Sequence, residues 1–348
     1  MSDVKILFKK DINILIGRYL KEATVIAPIK TTYGDIIFNP VNSPSEIVLD
    51  QGIENSIIPP KELFLPQEET LFIYRRYKND YKLEPSIVDE QKRIIFGLRS
   101  CDLSAILFLD KFFTNNIEDI YYVQKRKNTT LISLGCNQPQ DTCFCICTDC
   151  GPFLTYGFDL QLIDLGDKYF VEISTAKGEE IIKDNKNLFK DVSVADVKKK
   201  QEVVESAKDK FKTARAYFSK SIRKLSEGKV DKDVWTELGQ RCFSCGGCSY
   251  VCPTCSCFDV VDLLKSSDEY NRIRTWDSCM FAGFTKEASG HNPRLEKKDR
   301  VYRRYYHKLS YQYIEKNEAH GCVGCGRCIV TCLGQINMPV AVEKIRRG

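Results

Sequence analysis

The chain has 348 residues, 43% of them hydrophobic and 28% charged, which is typical of a globular protein and excludes global disorder. A chain of this length is expected to form roughly two domains, each with its own core. The formal net charge of +5 is too small for an extended nucleic-acid-binding surface. The 17 cysteines are unusual, and they indicate a disulfide scaffold, bound metal or iron-sulfur clusters.

The cellular compartment decides between disulfides and metals. The N-terminal residues include Asp3, Lys5 and Lys9, and they contain no long uncharged apolar segment with a small-residue cleavage site. No stretch approaches the roughly 18 apolar residues that a membrane-spanning helix needs. We therefore expect a cytoplasmic protein without membrane insertion, whose reduced cysteines bind soft metals instead of forming disulfides.

Residues 1–194 have the mixed pattern of an α/β domain. An amphipathic run from Ile12 to Leu20 predicts a helix near the start of the chain. Apolar, β-branched segments at residues 24–27 and 35–38 predict strands.

Two further strands of this domain lead directly into cysteines. Residues 93–98 have a buried-strand pattern, and helical spacing follows, with Asp102 as the expected N-cap. A second buried strand at residues 129–134 runs into Cys136. Neighbouring strands of one α/β sheet would place Cys101 and Cys136 at the same sheet edge.

The composition changes after residue 194. Residues 195–230 are rich in Lys, Glu and Ala with helical spacing, which predicts a connector helix capped by Gly228. Residues 231–348 are expected to form a mainly helical domain around metal sites. The basic and aromatic run at residues 300–306 is interpreted as a solvated helix face or a docking surface for an acidic partner.

Two stretches of this second domain share the cysteine spacing of ferredoxins that hold two 4Fe-4S clusters. In such proteins the fourth cysteine of each motif binds the cluster of the other motif. We define the first cysteine set as Cys242, Cys245, Cys248 and Cys332, and the second as Cys322, Cys325, Cys328 and Cys252. Zinc is the alternative, but zinc sites usually have two Cys-x-x-Cys halves separated by a longer loop.

A third 4Fe-4S cluster is predicted in the α/β domain. Its ligands would be the N-terminal cysteine set, which is Cys101, Cys136, Cys143 and Cys145. Cys147 or Cys150 could replace one of these. The alternative is a group of reduced, buried thiols, since Cys143 and Cys145 are only one residue apart. Three other cysteines remain unassigned, with Cys255 expected to pack beside Cys252: they are Cys255, Cys257 and Cys279.

The motifs resemble those of sulfhydrogenase beta subunits, a family that includes the A-type subunits of anaerobic sulfite reductases. The resemblance covers nearly the whole chain and includes the segments at residues 59–66, 96–103, 143–145, 241–259, 274–279, 290–294 and 305–308. It implies an iron-sulfur protein that passes electrons between a flavin- and NAD(P)-binding subunit and a separate catalytic subunit. The sequence around Trp276 and His291 is more similar to the hydrogenase branch of the family than to the sulfite reductase branch.

The sequence motifs agree with an electron-transfer subunit whose substrates are bound by other subunits. The sequence has no glycine-rich dinucleotide loop and no phosphate loop, so we expect no nicotinamide or ATP site of its own. An iron-sulfur redox sensor is the alternative of another class. A sensor needs an output surface, and the sequence shows no DNA-reading motif.

Overall fold

The computed structural model describes residues 4–52, 54–78, 80–86, 91–211 and 217–348. The strands in these ranges are β1 (Val4–Phe8), β2 (Thr24–Lys30), β3 (Ile36–Pro40), β4 (Glu68–Tyr77), β5 (Asp80–Pro85), β6 (Arg93–Leu98), β7 (Thr129–Leu134), β8 (Leu160–Asp164), β9 (Lys168–Ile173), β10 (Phe189–Lys190), β11 (Phe258–Ser266) and β12 (Glu269–Trp276). The helices are α1 (Lys9–Tyr19), α2 (Ser100–Thr114), α3 (Ile120–Lys127), α4 (Ala176–Asp184), α5 (Val194–Asp209), α6 (Phe218–Ser226), α7 (Lys232–Arg241), α8 (Gly247–Tyr250), α9 (Lys297–Leu309), α10 (Tyr311–Asn317), α11 (Arg327–Thr331) and α12 (Met338–Arg347).

The N-terminal half is built on a mixed sheet of eight strands, in the order β10-β1-β9-β8-β7-β6-β2-β3. Strands β2, β6, β7 and β8 run parallel, and the remaining pairs are antiparallel. Side chains alternate between the two faces of a strand. Ile94 and Phe96 of β6 therefore join the core that contains α1, whereas Ile95 joins the core that contains α2 and α3. This confirms the α/β character predicted for the region.

Strands β6 and β7 position the first cysteines. They pair in parallel, with Leu98 opposite Ser133, so both end at the same sheet edge. Cys101 lies in the first turn of α2, and Cys136 lies two residues after β7. The predicted juxtaposition of these strand ends is present.

Asp102 does not act as the N-cap of α2, contrary to the sequence expectation. The helix begins after Arg99, and no side chain caps it. The carboxylate of Asp102 instead binds the guanidinium of Arg327 at 2.6 and 3.0 Å, and Arg327 Nε donates to the Ser56 carbonyl at 2.6 Å. This buried ion pair joins α2 to the second cysteine motif.

The C-terminal half is not entirely helical, and the expectation of a mainly helical domain missed a β-hairpin. Strands β11 and β12 pair with each other, and β12 also pairs with β4. The result is an antiparallel sheet, β11-β12-β4-β5, with strands from both halves of the chain. Strand β11 is exposed along most of its length, so its apolar residues do not show the alternation of a half-buried strand.

Two helices lie within the predicted connector. Helix α5 contacts the eight-stranded sheet, where Lys200 pairs with Glu172, and α6 packs against α12 and α9. Residues 212–216 of the predicted connector lie outside the described residues. Gly228 has the left-handed backbone (φ 66°) expected of a glycine just after a helix.

Among the helices that the structure describes, none has both the length and the apolar character needed to cross a membrane.

Replacing Asp102 by Ala should lower the free energy of unfolding by about 3–5 kcal/mol, because it leaves the buried charge of Arg327 without its partner. The midpoint of denaturation, measured under anoxia by circular dichroism, tests this. As a control, Arg272→Ala breaks an exposed pair with Asp262 and should leave the midpoint nearly unchanged. Equal shifts in the two variants would contradict the role of the buried pair.

Candidate iron-sulfur centres

Both ferredoxin-type motifs form the same tight turn. In each motif a left-handed glycine precedes a short helix, namely Gly246 (φ 74°) before α8 and Gly326 (φ 78°) before α11. Glycine adopts this conformation without steric cost. A Cβ atom on Gly326 would also lie 2.6 Å from the carbonyl oxygen of Thr142, so glycine is needed for close approach of the N-terminal half.

The first cysteine set surrounds one cavity. Its four thiols come from the first motif and, 84 residues later in the chain, from Cys332 at the end of α11. Apolar side chains that include Met280, Tyr305 and Ile336 line the remaining wall. The structure thus brings Cys332 to the three cysteines of the other motif, as a swapped ligand set requires.

Backbone amides stabilise negative charge on thiols of this set. Ser244 N donates to Cys242 Sγ at 3.3 Å, and Ile336 N donates to Cys332 Sγ at 3.3 Å. Hydrogen bonds to ligand sulfur favour the thiolate and contribute to the reduction potential of a bound cluster.

The second cysteine set has no exposed member, in contrast to the first set, where Cys245 is exposed. Cys322 is buried and the other three members are half-buried. Each of Cys322, Cys325 and Cys328 interacts electrostatically with Cys252. Lys308 Nζ donates to Cys252 Sγ at 3.2 Å. The pKa of the Cys252 thiol is low because Cys255 donates to it and the cationic Lys308 and Arg304 lie nearby.

The N-terminal cysteine set also surrounds one cavity, and all four predicted members line it. The loop with Cys143 and Cys145 lies against the second motif, where Phe144 N donates to the Gly324 carbonyl at 2.9 Å. Gly324 itself lines the cavity. The N-terminal set is therefore adjacent to the second set, although the two are far apart in sequence.

The remaining cysteines occupy three other places. Cys150 packs near Cys101 and Cys145, whereas Cys147 lines a separate cleft of 840 Å³ beside α5. Another cavity is lined by the three unassigned cysteines of the C-terminal half, which are Cys255, Cys257 and Cys279.

The basic run on α9 is largely buried, so its interpretation as a solvated or docking face is wrong for the residues that face inward. Arg300, Arg304 and Lys308 lie four residues apart, which places them on one helix face, and all three are buried. The guanidinium of Arg300 binds carbonyl oxygens of Met280 and Arg294. Sequence reasoning missed this inward face, although the spacing of four residues signals it.

Burial keeps several of these thiols protonated until a metal replaces the proton. Burial raises the pKa of the Cys328 thiol to about 12, and that of Cys143 also to about 12. Iron-sulfur clusters bind thiolates, so cluster insertion releases these protons. The donor set suits such clusters because thiolates are the ligands that soft metals and iron-sulfur clusters select.

The thiols of the first set and of the N-terminal set line cavities. Within the described ranges, no three Cys, His, Asp or Glu side chains converge tightly enough to hold one metal ion. A zinc ion binds thiolate sulfur at about 2.3 Å, which brings its ligands almost into contact with one another. Thiols arranged around a cavity fit a larger group such as a 4Fe-4S cluster.

Comparisons with known proteins agree with this chemistry. Residues 241–336 match the family model of the 4Fe-4S dicluster domain. The chain is 35% identical over 321 residues to sulfhydrogenase 2 subunit beta of Pyrococcus furiosus, and the alignment covers 89% of each protein. The similarity therefore extends through both halves of the chain and is not confined to the cysteine motifs.

Replacing Cys332 by Ser should remove the cluster bound by Cys242, Cys245 and Cys248 and leave the other ferredoxin-type cluster in place, because Cys332 lies in the cavity of the first set. Iron content and electron paramagnetic resonance of the reduced protein measure the loss. The matched variant Cys252→Ser should show the reverse pattern. Loss of the second cluster in Cys332→Ser would mean that each motif binds its own cluster.

If the predicted N-terminal cluster is bound, replacing Cys136 by Ser should lower the iron content by about four atoms per chain, because it removes one of the four predicted ligands. The control is Cys147→Ser, since Cys147 lines the cleft beside α5 instead. Iron and acid-labile sulfide would be measured on both full-length variants. The same iron content in both would argue against an N-terminal cluster.

Proposed function

The chain belongs to the sulfhydrogenase beta-subunit family, and we propose that it relays single electrons between a flavin- and NAD(P)-binding subunit and a hydrogenase-type catalytic subunit. The observation that carries the proposal is the shared cavity of the first set, where one motif supplies three thiols and the other supplies Cys332. Such interlocking brings two clusters close enough to exchange electrons. Each cluster, when bound, supplies one-electron redox chemistry.

The order of the cysteine sets supports a relay. The first set is nearest the surface, since Cys245 is exposed. Arg304 lines the cavity of the first set and acts electrostatically on Cys252 of the second set. Gly324, between two cysteines of the second set, lines the cavity of the N-terminal set. The second set therefore adjoins both the first set and the N-terminal set.

The surface beside the first set has the features of a contact region for a partner protein. Phe243 and Leu333 line its cavity and are 67% and 74% exposed. Exposed apolar side chains of this size are common where proteins associate. We assign the surface beside the first set to one of the two partners. That partner would cover the apolar side chains and exclude water from the cluster.

The protein's own residues hold the clusters and adjust their charge. Lys308 places its ammonium group on Cys252 Sγ, and amide groups bind the sulfurs of Cys242 and Cys332. These groups stabilise the more negative, reduced form of a cluster and so raise its reduction potential. An electron relay needs neighbouring clusters with similar reduction potentials. The hydrogen bonds to the cysteine sulfurs adjust those potentials.

The proposed partners rest on the resemblance to sulfhydrogenase beta subunits. The identity to a sulfhydrogenase subunit supports a hydrogenase-type catalytic partner, in preference to the sulfite reductase type. A flavin- and nicotinamide-binding subunit is proposed as the second partner because the resemblance implies one, and the sequence shows no dinucleotide loop of its own.

The anoxically purified chain should be brown, and alone it should neither oxidise a nicotinamide nor evolve hydrogen. Reconstitution with the flavin-binding and hydrogenase subunits of the same complex should restore nicotinamide-dependent hydrogen evolution. Cys332→Ser should abolish this coupled activity and leave each partner's activity with artificial dyes intact, whereas Cys147→Ser should behave as wild type. Coupled activity without the chain would exclude the relay.

A further inference from the structure

Three cysteines outside the two ferredoxin-type sets and the N-terminal set lie together at the base of the β-hairpin. Cys255 and Cys257 immediately precede β11, and Cys279 follows β12 by three residues. Phe258 pairs with Trp276, and beyond this pair Asp277 N donates to the Cys257 carbonyl at 3.0 Å. The hairpin therefore brings Cys257 and Cys279 together, although 22 residues separate them in sequence.

The segment with Cys255 is held in place from the N-terminal half. Lys61 is buried and donates to the carbonyl oxygens of Cys255 and Ser249 at 2.9 and 3.3 Å. Its ammonium group also lies 4.2 Å from the centre of the Trp276 ring. These contacts of Lys61 fix the position of the segment that carries Cys255.

The three thiols share one cavity. Arg304, His307 and Lys308 of α9 line it from one side. Phe108 and Phe112 of α2 line it as well, so the cavity lies between the two halves of the chain. An enclosed wall of thiols, cations and aromatic rings is suited to an anionic, thiolate-bound group.

The surroundings of Arg304 support such a group. Its side chain is 5% exposed, and its Nη1 atom has no hydrogen-bond partner in the described part of the chain. A guanidinium group does not lose its proton in a protein, and a buried charge without a partner costs several kcal/mol. The groups that act on it most strongly are Cys248, Cys255, Tyr305 and Cys252, and none of these is a carboxylate.

Arg304 borders a further cavity besides that of the first set. This side chain lines the cavity of the first set and the cavity of Cys255, Cys257 and Cys279 as well. Lys308, by contrast, is satisfied by Cys252 Sγ, Thr254 Oγ1 and the Gly321 carbonyl. An anion in the cavity of Cys255, Cys257 and Cys279 would give the Arg304 guanidinium a partner of opposite charge.

We propose that Cys255, Cys257 and Cys279 bind an additional iron-sulfur cluster, separate from those of the other three sets. Its three thiolates provide the negative charge that Arg304 lacks. A three-thiolate set leaves one iron for a different donor, and His307 on the same wall carries an imidazole, which is a ligand that iron accepts. Cys255 contacts Cys252, so the cluster would adjoin the second set.

Native mass spectrometry of the anoxically purified full-length chain tests the proposal, because it counts bound clusters directly. The wild-type chain should carry one cluster more than the triple variant Cys255→Ser, Cys257→Ser, Cys279→Ser. Iron and acid-labile sulfide should each fall by about four atoms per chain. Cys147→Ser is the matched control and should keep the wild-type number of clusters and the wild-type iron content.

A single variant, Cys279→Ser, covers the case in which the triple variant does not fold, since Cys279 lies outside both ferredoxin-type motifs. It should lose the same cluster and keep the signals of the other clusters. An unchanged cluster count in a folded variant would overturn the proposal. So would stoichiometric zinc, or a disulfide between Cys257 and Cys279, in the anoxic wild-type protein. None of these results depends on electron relay, which the reconstitution experiment tests separately.

Discussion

Negative charge on buried sulfur is the constraint on which the C-terminal half depends. Thiolate-bound clusters carry charge into a region of low dielectric constant, where an uncompensated charge is very costly. Helix α9 meets this requirement with Arg300, Arg304 and Lys308 on its inward face. Lys308 reaches a ligand sulfur directly, and Arg300 fixes the loop that carries Met280 and Arg294. The same helix supplies the apolar residues Val301 and Tyr305 to the core, so packing and charge compensation are combined in one element.

The same requirement explains why the two halves of the chain are not separate modules. Arg327 follows Gly326 in the second motif and pairs with Asp102, one residue after Cys101. Lys61 crosses in the opposite direction, from the N-terminal half to the segment of Cys255. The sheet of β4, β5, β11 and β12 adds backbone pairing between the halves. Cysteine sets at such an interface keep fixed positions relative to one another, which electron transfer between clusters requires.

Local sequence patterns were sufficient for the ferredoxin-type motifs and for the strand ends of the α/β sheet. The motif spacing is short range, and the glycines that permit the turns lie inside it. Cys101 and Cys136 were placed together because buried parallel strands end at a common edge. Other features were not accessible in this way. The hairpin of β11 and β12 was missed because β11 is stabilised by pairing, with most of its residues exposed, and shows no periodic burial.

The kind of chemistry could be predicted from the cysteine spacing, because ferredoxin-type spacing is typical of proteins that bind 4Fe-4S clusters. The surroundings of those atoms depend on the folded chain. The contact of Lys308 with Cys252, the use of Asp102 by Arg327 instead of as a helix cap, and the meeting of Cys257 with Cys279 all join residues that are distant in sequence. Such contacts depend on how charged groups are satisfied inside the folded core, and no local pattern of residues specifies that.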